Sequence, residues 1–221
     1  MSKIVWSYSA LKDYEGCARR YHRVRVLKEV KQAKTEQILY GEQLHKACED
    51  YTNEGKPLPE QFAFVKPVLY SLHAKAGRKF AEFKMGVRED GSACDFFAKD
   101  VWVRGVADLL IIDEENLTAW CFDYKTGNDR YPDTDQLELM ALMTFAHFPQ
   151  VRKVNSALLF VVKNSIVKSK LHSSEAEATW WKYRERVARL AASYANDVWN
   201  PTQTPLCGWC PVRSCELNPK H

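Results

Sequence analysis

The sequence predicts an α/β (α+β) chain with a central mixed β-sheet flanked by helices, and three observations lead there. Residues 104–127 read as two strands joined by a polar turn. Apolar, β-branched runs at 101–106 and 109–112 precede Asp113-Glu114-Glu115-Asn116, an aromatic-rich stretch follows at 117–125, and Thr126-Gly127 ends it. The order of elements along the chain is helices, three strands, a helix, two strands, a helix and a cysteine-bearing tail. The helix after Lys125 is long enough to cross over to a further strand of the same sheet.

The elements follow in order. Ser7 or Ser9 is an N-cap for a helix running to the basic residues around 19–25. A second helix covers about residues 35–54, with Gly41, His45 and Glu49 spaced by four so that they share one face. Gly55-Lys-Pro-Leu-Pro is a loop, and a third helix spans about 60–76. Residues 79–87 alternate as a strand, and Glu89-Asp-Gly-Ser is its turn. Gln136, Leu137, Met140, Ala141 and Phe145 give an amphipathic helix over 133–148, stopped by Pro149. A second hairpin occupies 153–162 and 166–171, and a long helix runs from 174 to 199, ended by Asn200-Pro201. The tail from Pro205 has neither period.

Composition narrows the class. The 221 residues suffice for one large domain with a real core, and 46% hydrophobic with 27% charged residues is ordinary for a soluble globular chain. No run of about 18 apolar residues is present, so no membrane span is expected. The first eight residues lack the apolar h-region of a secretory signal, which favours a reducing, cytoplasmic setting. A net charge of +4 permits a polyanionic partner. The positive charge is concentrated in Arg19, Arg20, His22, Arg23, Arg25 and Lys28, and Arg19, Arg20, Arg23 and Arg25 are the candidate contacts to such a polyanion. Tyr21, with Trp6, Tyr8 and Tyr14, is available to stack on bases. Of seven cysteines, Cys48, Cys94 and Cys121 lie in apolar settings expected to bury them, and Cys207, Cys210 and Cys215 crowd the tail. Clustered cysteines in a reducing compartment point to a metal or cluster more than to disulfides.

The chemistry centres on the first hairpin. Asp123 and Lys125, two apart on one strand, share a face, and pairing the strands brings Asp108 beside them. Two carboxylates and a lysine are costly to bury unless they bind a cation or pair closely.

The ordered set Gly41-x3-His45-x3-Glu49, Gly105-x2-Asp108, Asp123-Tyr124-Lys125-Thr-Gly127 and Gln136 resembles the PD-(D/E)XK nuclease superfamily, in particular its RecB-like and AddB-like branch, which includes many phage exonucleases. The resemblance spans residues 7–215. It implies a restriction-endonuclease-like core in a single nuclease domain covering 1–221, and one or two Mg²⁺ or Mn²⁺ ions held by His45, Asp108, Asp123 and the carbonyl of Tyr124. Hard cations of this kind take oxygen ligands and neutralise the charge of a phosphodiester under attack. The resemblance makes Lys125 the residue that orients or deprotonates the attacking water. It makes Glu49 a supporting partner or further acid, and Gln136 the orienter of the lysine or a contact to the DNA backbone. Glu82, in the preceding strand, resembles an acid often found there and reads as structural or supporting. Cys17 with Cys207-x2-Cys210-x4-Cys215 resembles the iron–sulfur staple of AddB-like nucleases, in which a [4Fe–4S] cluster pins a tail such as 205–221 to the first helix. Four thiolates also suit Zn²⁺.

The expected function is therefore a metal-dependent DNA exonuclease, largely indifferent to sequence, acting on single- or double-stranded ends in phage or bacterial recombination, replication or DNA processing. No Gly-x4-Gly-Lys-Ser/Thr motif is present, so a helicase or a single-strand annealing or binding protein would be a separate partner. For a phage protein the compartment would be the host cytoplasm. The alternatives are a structure-specific endonuclease or nickase, and a non-catalytic DNA-binding scaffold of the same fold.

Overall fold

The computed structural model describes residues 4–30 and 34–220. The chain forms two compact units: Thr35–Trp180, and Met1–Lys34 together with Trp181–His221.

The larger unit is built on a six-stranded sheet: β1 (Arg78–Val87), β2 (Ala93–Cys94), β3 (Val103–Asp113), β4 (Thr118–Lys125), β5 (Lys153–Phe160) and β6 (Ser165–His172), in the order β2-β1-β3-β4-β5-β6. All neighbours are antiparallel except β4 and β5, which run parallel. The parallel pair needs a crossover, and the helix Asp135–His147 supplies it. The sheet is therefore mixed and flanked by helices.

One core lies between the sheet and the helix Glu36–Glu54 with Lys66–His73. Leu44, Cys48, Phe62, Val65 and Leu69 meet Leu109, Ile111, Tyr124 and Leu159 there. Burying each such aliphatic side chain contributes about 1.5–3 kcal/mol relative to exposure. A smaller cluster joins Leu137 of the crossover helix to Leu158 and Phe160 of β5. The crossover helix departs from the amphipathic expectation. From Leu137 through Thr144 all but Glu138 are buried, so packing surrounds the helix rather than one face of it.

Two other expected helices are interrupted. Residues 60–76 split into a 3₁₀ segment, Glu60–Val65, and the α-helix Lys66–His73, because Pro67 starts a helix well but cannot donate a hydrogen bond inside one. In the smaller unit the helix expected from Ser7 breaks at Cys17. This residue is extended (φ −168°, ψ 110°), and its Sγ accepts from Arg20 N, so it caps a new turn. The elements here are α1 (Tyr8–Gly16), α2 (Ala18–Tyr21) and a π-turn (His22–Val26). With the helices of the larger unit as α3 (Glu36–Glu54), α4 (Lys66–His73) and α5 (Asp135–His147), the last helix is α6 (Ala176–Asn196). It stops four residues before the expected Asn200-Pro201 boundary. Asp197 turns left-handed (φ +50°) and Val198 N donates to Ser193 O, a Schellman-type ending.

The smaller unit is held by aromatic and ionic contacts. Trp199 packs among Tyr14, Tyr21, His22 and Tyr194. Arg186 makes a two-pronged pair with Glu15, at 2.7 and 2.8 Å. No helix among the described residues is long and apolar enough to cross a membrane.

Candidate active site

The site forms where β3 and β4 part. Their ladder ends at Leu109↔Phe122. One step beyond, Asp108 Oδ2 takes the next N–H, accepting from Tyr124 N at 2.6 Å. On the other side of Asp108, β1 pairs with β3 at Ala81↔Leu109 and Phe83↔Ala107. Glu82 lies between these pairs, opposite Asp108, in the left-handed region with φ +49°. That conformation costs a non-glycine residue about 1–3 kcal/mol and is characteristic of functional sites.

Helix α3 brings His45 to the same place. Thr35 caps it, accepting from Ile38 N. At Gly41 a Cβ would stand 3.2 Å from Thr126 Oγ1, so glycine lets the helix lie close to the end of β4. One turn later, His45 Nε2 donates to Tyr124 O at 2.9 Å, and Nδ1 lies 3.2 Å from Asp108 Oδ1 and 4.0 Å from Glu82 Oε1. His45, Glu82 and Asp108 present ligand atoms within 4.8 Å of one another, a set able to hold a metal ion.

Asp123, Lys125 and Gln136 make the second half. Gln136, in the first turn of α5, donates from Nε2 to Asp123 Oδ1 at 2.5 Å, and its Oε1 accepts from Lys125 Nζ at 3.2 Å. The buried Asp123 Oδ2 lies 2.7 Å from Lys125 Nζ, an ion pair inside the site.

The electrostatics match a site short of positive charge. Burial, then the charge of Asp108, raises the Asp123 carboxyl to about 6. Burial and Asp108 also raise Glu82. Burial opposes protonation of His45, yet the hydrogen bond and charge of Asp108 outweigh it and raise its pKa. Carboxylates packed this closely favour a cation, and the imidazolium meets part of that demand.

Of the other predicted residues, Glu49 lies outside the three-residue ligand set. It pairs with Lys46 at 3.0 Å and lines an open groove of 490 Å³ together with Glu82. Glu82, read from sequence as structural or supporting, faces His45 and Asp108. Its acidic character within a strand was the visible signal.

Tyr21 corrects the expectation of a base-stacking residue. It is buried (5% exposed), stacks on Trp199, and shares a hydrogen bond with the Tyr194 hydroxyl, so it offers no face to a base. Trp6 is likewise buried and stacked on Tyr183. The arginines of the basic run are each ion-paired: Arg19 with Glu216, Arg20 and Arg25 with Asp13, and Arg23 with Glu29.

Cys48, Cys94 and Cys121 are buried thiols. Cys17 Sγ accepts from Arg20 N and from Thr202 N, and Cys207 Sγ accepts from Thr204 N. Among the described residues, no three of the sulfurs of Cys17, Cys207, Cys210 and Cys215 gather within 4.8 Å, which is wider than the spacing of a single tetrahedral ion.

A profile of the PD-(D/E)XK nuclease superfamily matches residues 5–69 and 63–215, and the chain belongs to that superfamily. Among solved structures, a candidate exonuclease from Eubacterium rectale is similar, with a TM-score of 0.56 and 13% identity over 94% of this chain and 87% of that one. The protein SSO0001 is similar with a TM-score of 0.52 and 15% identity, over 99% and 89% of the two chains. At these identities the likeness is one of fold. No curated protein matches.

Proposed function

We propose that this protein is a divalent-metal-dependent DNA exonuclease that hydrolyses phosphodiester bonds from DNA ends with little regard to sequence. The observation that carries the reading is the contact set Asp123–Gln136–Lys125 beside Asp108, His45 and the Tyr124 carbonyl. The oxygen-rich donor set and the raised carboxyls fit a hard divalent ion, with Asp108, Asp123, Tyr124 O and His45 to hold it and Glu82 as a further acid. Such an ion, when bound, would neutralise phosphate charge and make water a better nucleophile.

The chain's own residues do the rest. Asp108 fixes the Tyr124 peptide by accepting its N–H, which sets the direction of the neighbouring carbonyl. Gln136 holds Asp123 and Lys125 together, so the ammonium is aimed rather than free to swing. Lys125 orients the attacking water and stabilises charge developing on the phosphate. As water oxygen bonds to phosphorus, one P–O ester bond breaks and the water proton ends on the leaving sugar oxygen. A cluster joining Cys17 to the tail cysteines would be structural, with iron and sulfide content in anaerobically purified protein as its test and zinc as the alternative. Residues 1–221 act as one nuclease domain in the cytoplasm, with any helicase or single-strand binding protein a separate partner.

The test is digestion of linear DNA labelled at either end, with Mg²⁺ or Mn²⁺, beside a covalently closed circle. Shortening of the linear DNA, an intact circle, and loss of activity in folded Asp123→Asn and Lys125→Ala support the reading. Cutting of the circle would make the protein an endonuclease. Binding without cleavage under either metal would make it a scaffold.

A further inference from the structure

The loop joining Lys125 to Gln136 carries an aromatic side chain that nothing described so far uses. Tyr131 is 89% exposed, more than any other large hydrophobic side chain among the described residues. An aromatic ring left this open to water gains nothing for folding, and its flat face is free to stack on a planar partner. It stands between exposed Arg130 and exposed Pro132.

The loop is braced, and the bracing places it. Ser165 Oγ donates to Asp129 Oδ2 at 2.7 Å, Asn128 Oδ1 accepts from Arg130 N at 2.8 Å, and Asp133 Oδ1 accepts from Asp135 N at 3.3 Å. Lys125 pairs with Phe160, and Phe160 with Ser165, so Ser165 lies level with Lys125 two strands away. Two strand spacings are about 10 Å. The loop therefore runs sideways from the end of β4 to the start of β6 and returns to Gln136, keeping to the sheet end where Asp123 and Lys125 lie. Tyr131 is two residues past the Asp129 anchor, no more than about 7 Å of chain.

We propose that Tyr131 stacks on an unpaired base of the strand being cleaved, with Arg130 on the adjacent phosphate, so that the site engages single-stranded DNA or a frayed end. This rests on the nuclease reading and narrows its substrate. A stacked ring accepts any base, in keeping with cleavage indifferent to sequence, and the pairing of an aromatic face with a cation is how single strands are held. The base must be unstacked from its duplex neighbours to meet the ring, which selects against intact double helix.

The experiment compares kcat and KM on a single-stranded oligonucleotide and on versions carrying one abasic position at successive places near the scissile bond. Wild type is expected to lose about 5- to 100-fold in KM at one abasic position. Tyr131→Ala should show the raised KM on the intact strand and no further loss at that abasic position, and Tyr131→Trp should restore the wild-type discrimination. Equal discrimination by wild type and Tyr131→Ala overturns the proposal. Quenching of a 2-aminopurine-labelled strand on binding, measured in the Asp123→Asn background, reads stacking without cleavage. Quenching lost in Tyr131→Ala supports the proposal even if no DNA is cut, and quenching unchanged overturns it even if the nuclease reading stands.

Discussion

His45 lies with Nδ1 3.2 Å from the Asp108 carboxylate while Nε2 donates to the Tyr124 carbonyl, so its ring occupies two of the oxygens proposed to hold a cation. His45, Asp123 and Glu82 all have raised pKa values, and the signs agree. For His45, stability gained from the charged ring is present below about 6.5 and lost as pH rises through its folded value. For the two acids, the folded state binds a proton more tightly than the unfolded chain does. Stability therefore falls as pH rises from about 4 through the folded value, for Asp123 about 6, and the cost for this buried acid is about 3 kcal/mol. The metal-free protein should lose melting temperature steadily between about pH 5 and pH 8. Mg²⁺ or Mn²⁺ should raise the melting temperature more at the upper end, where no proton competes. Calorimetry in chelator and in metal checks this, and a metal-free melting temperature that rises over that range would refute the assignment of charge.

Gln136 joins the two members of the proposed catalytic pair, touching Asp123 at 2.5 Å and Lys125 at 3.2 Å. Replacing it by Leu keeps the size but removes both hydrogen bonds. The expected outcome is a loss of about 10- to 100-fold in kcat with KM little changed, since the lysine then samples unproductive positions. Gln136→Glu should be worse than Leu, because a further carboxylate would stand against Asp123 in a site that already holds Asp108 and Glu82. Single-turnover rates on a labelled strand decide the order.

Much of this site was legible in the chain because burying charge is expensive. Asp108, Asp123 and Lys125 stand out inside apolar strands, and the four-residue spacing of Gly41 and His45 carries directly into the helix that approaches β4. Glu82 was less legible. Its importance comes from a left-handed φ and from lying opposite Asp108, neither of which leaves a mark in local periodicity. Tyr21 and the arginines read as a nucleic-acid surface because a run of cations looks free until its partners are known. Two of those partners, Glu216 for Arg19 and Tyr194 for Tyr21, lie far along the chain, while Asp13 and Glu29 are near in sequence but no spacing rule pairs them with Arg20, Arg25 and Arg23. The break at Cys17 depends on a side-chain cap accepting from Arg20 N, and the all-round burial of α5 depends on what packs around it.

Glu82 should show a trade between stability and activity. Glycine adopts φ +49° without the steric cost borne by glutamate, and removing the carboxylate relieves repulsion from Asp108. Against this stands the extra freedom of glycine in the unfolded chain, about 0.5–1 kcal/mol. Metal-free Glu82→Gly is expected to melt at the same temperature as wild type or slightly higher, while metal affinity falls by about 10- to 100-fold. Thermal melts with and without Mn²⁺, alongside titration of the metal by calorimetry, test both halves. A variant less stable than wild type with unchanged metal affinity would show Glu82 to be merely structural.

The pair Glu15–Arg186 should dominate the stability of the smaller unit. Arg186 is 8% exposed and its guanidinium meets both oxygens of Glu15, at 2.7 and 2.8 Å, while packing over Tyr8 and Tyr183. Removing the acid leaves a buried cation without its main partner, which costs about 3–5 kcal/mol for a fully buried pair. Glu15 keeps some contact with water, so about 2–3 kcal/mol is expected for Glu15→Ala. Glu15→Gln should cost less, because the amide oxygen still accepts one of the two hydrogen bonds. Arg186→Met, which keeps the apolar stem but leaves a partly hydrated carboxylate, should cost less than Glu15→Ala, since a carboxylate near the surface recovers water more easily than a buried guanidinium. Urea unfolding of the three variants measures the order directly, and a larger loss for Arg186→Met would mean that the packing of the guanidinium on the two tyrosines outweighs its charge pairing.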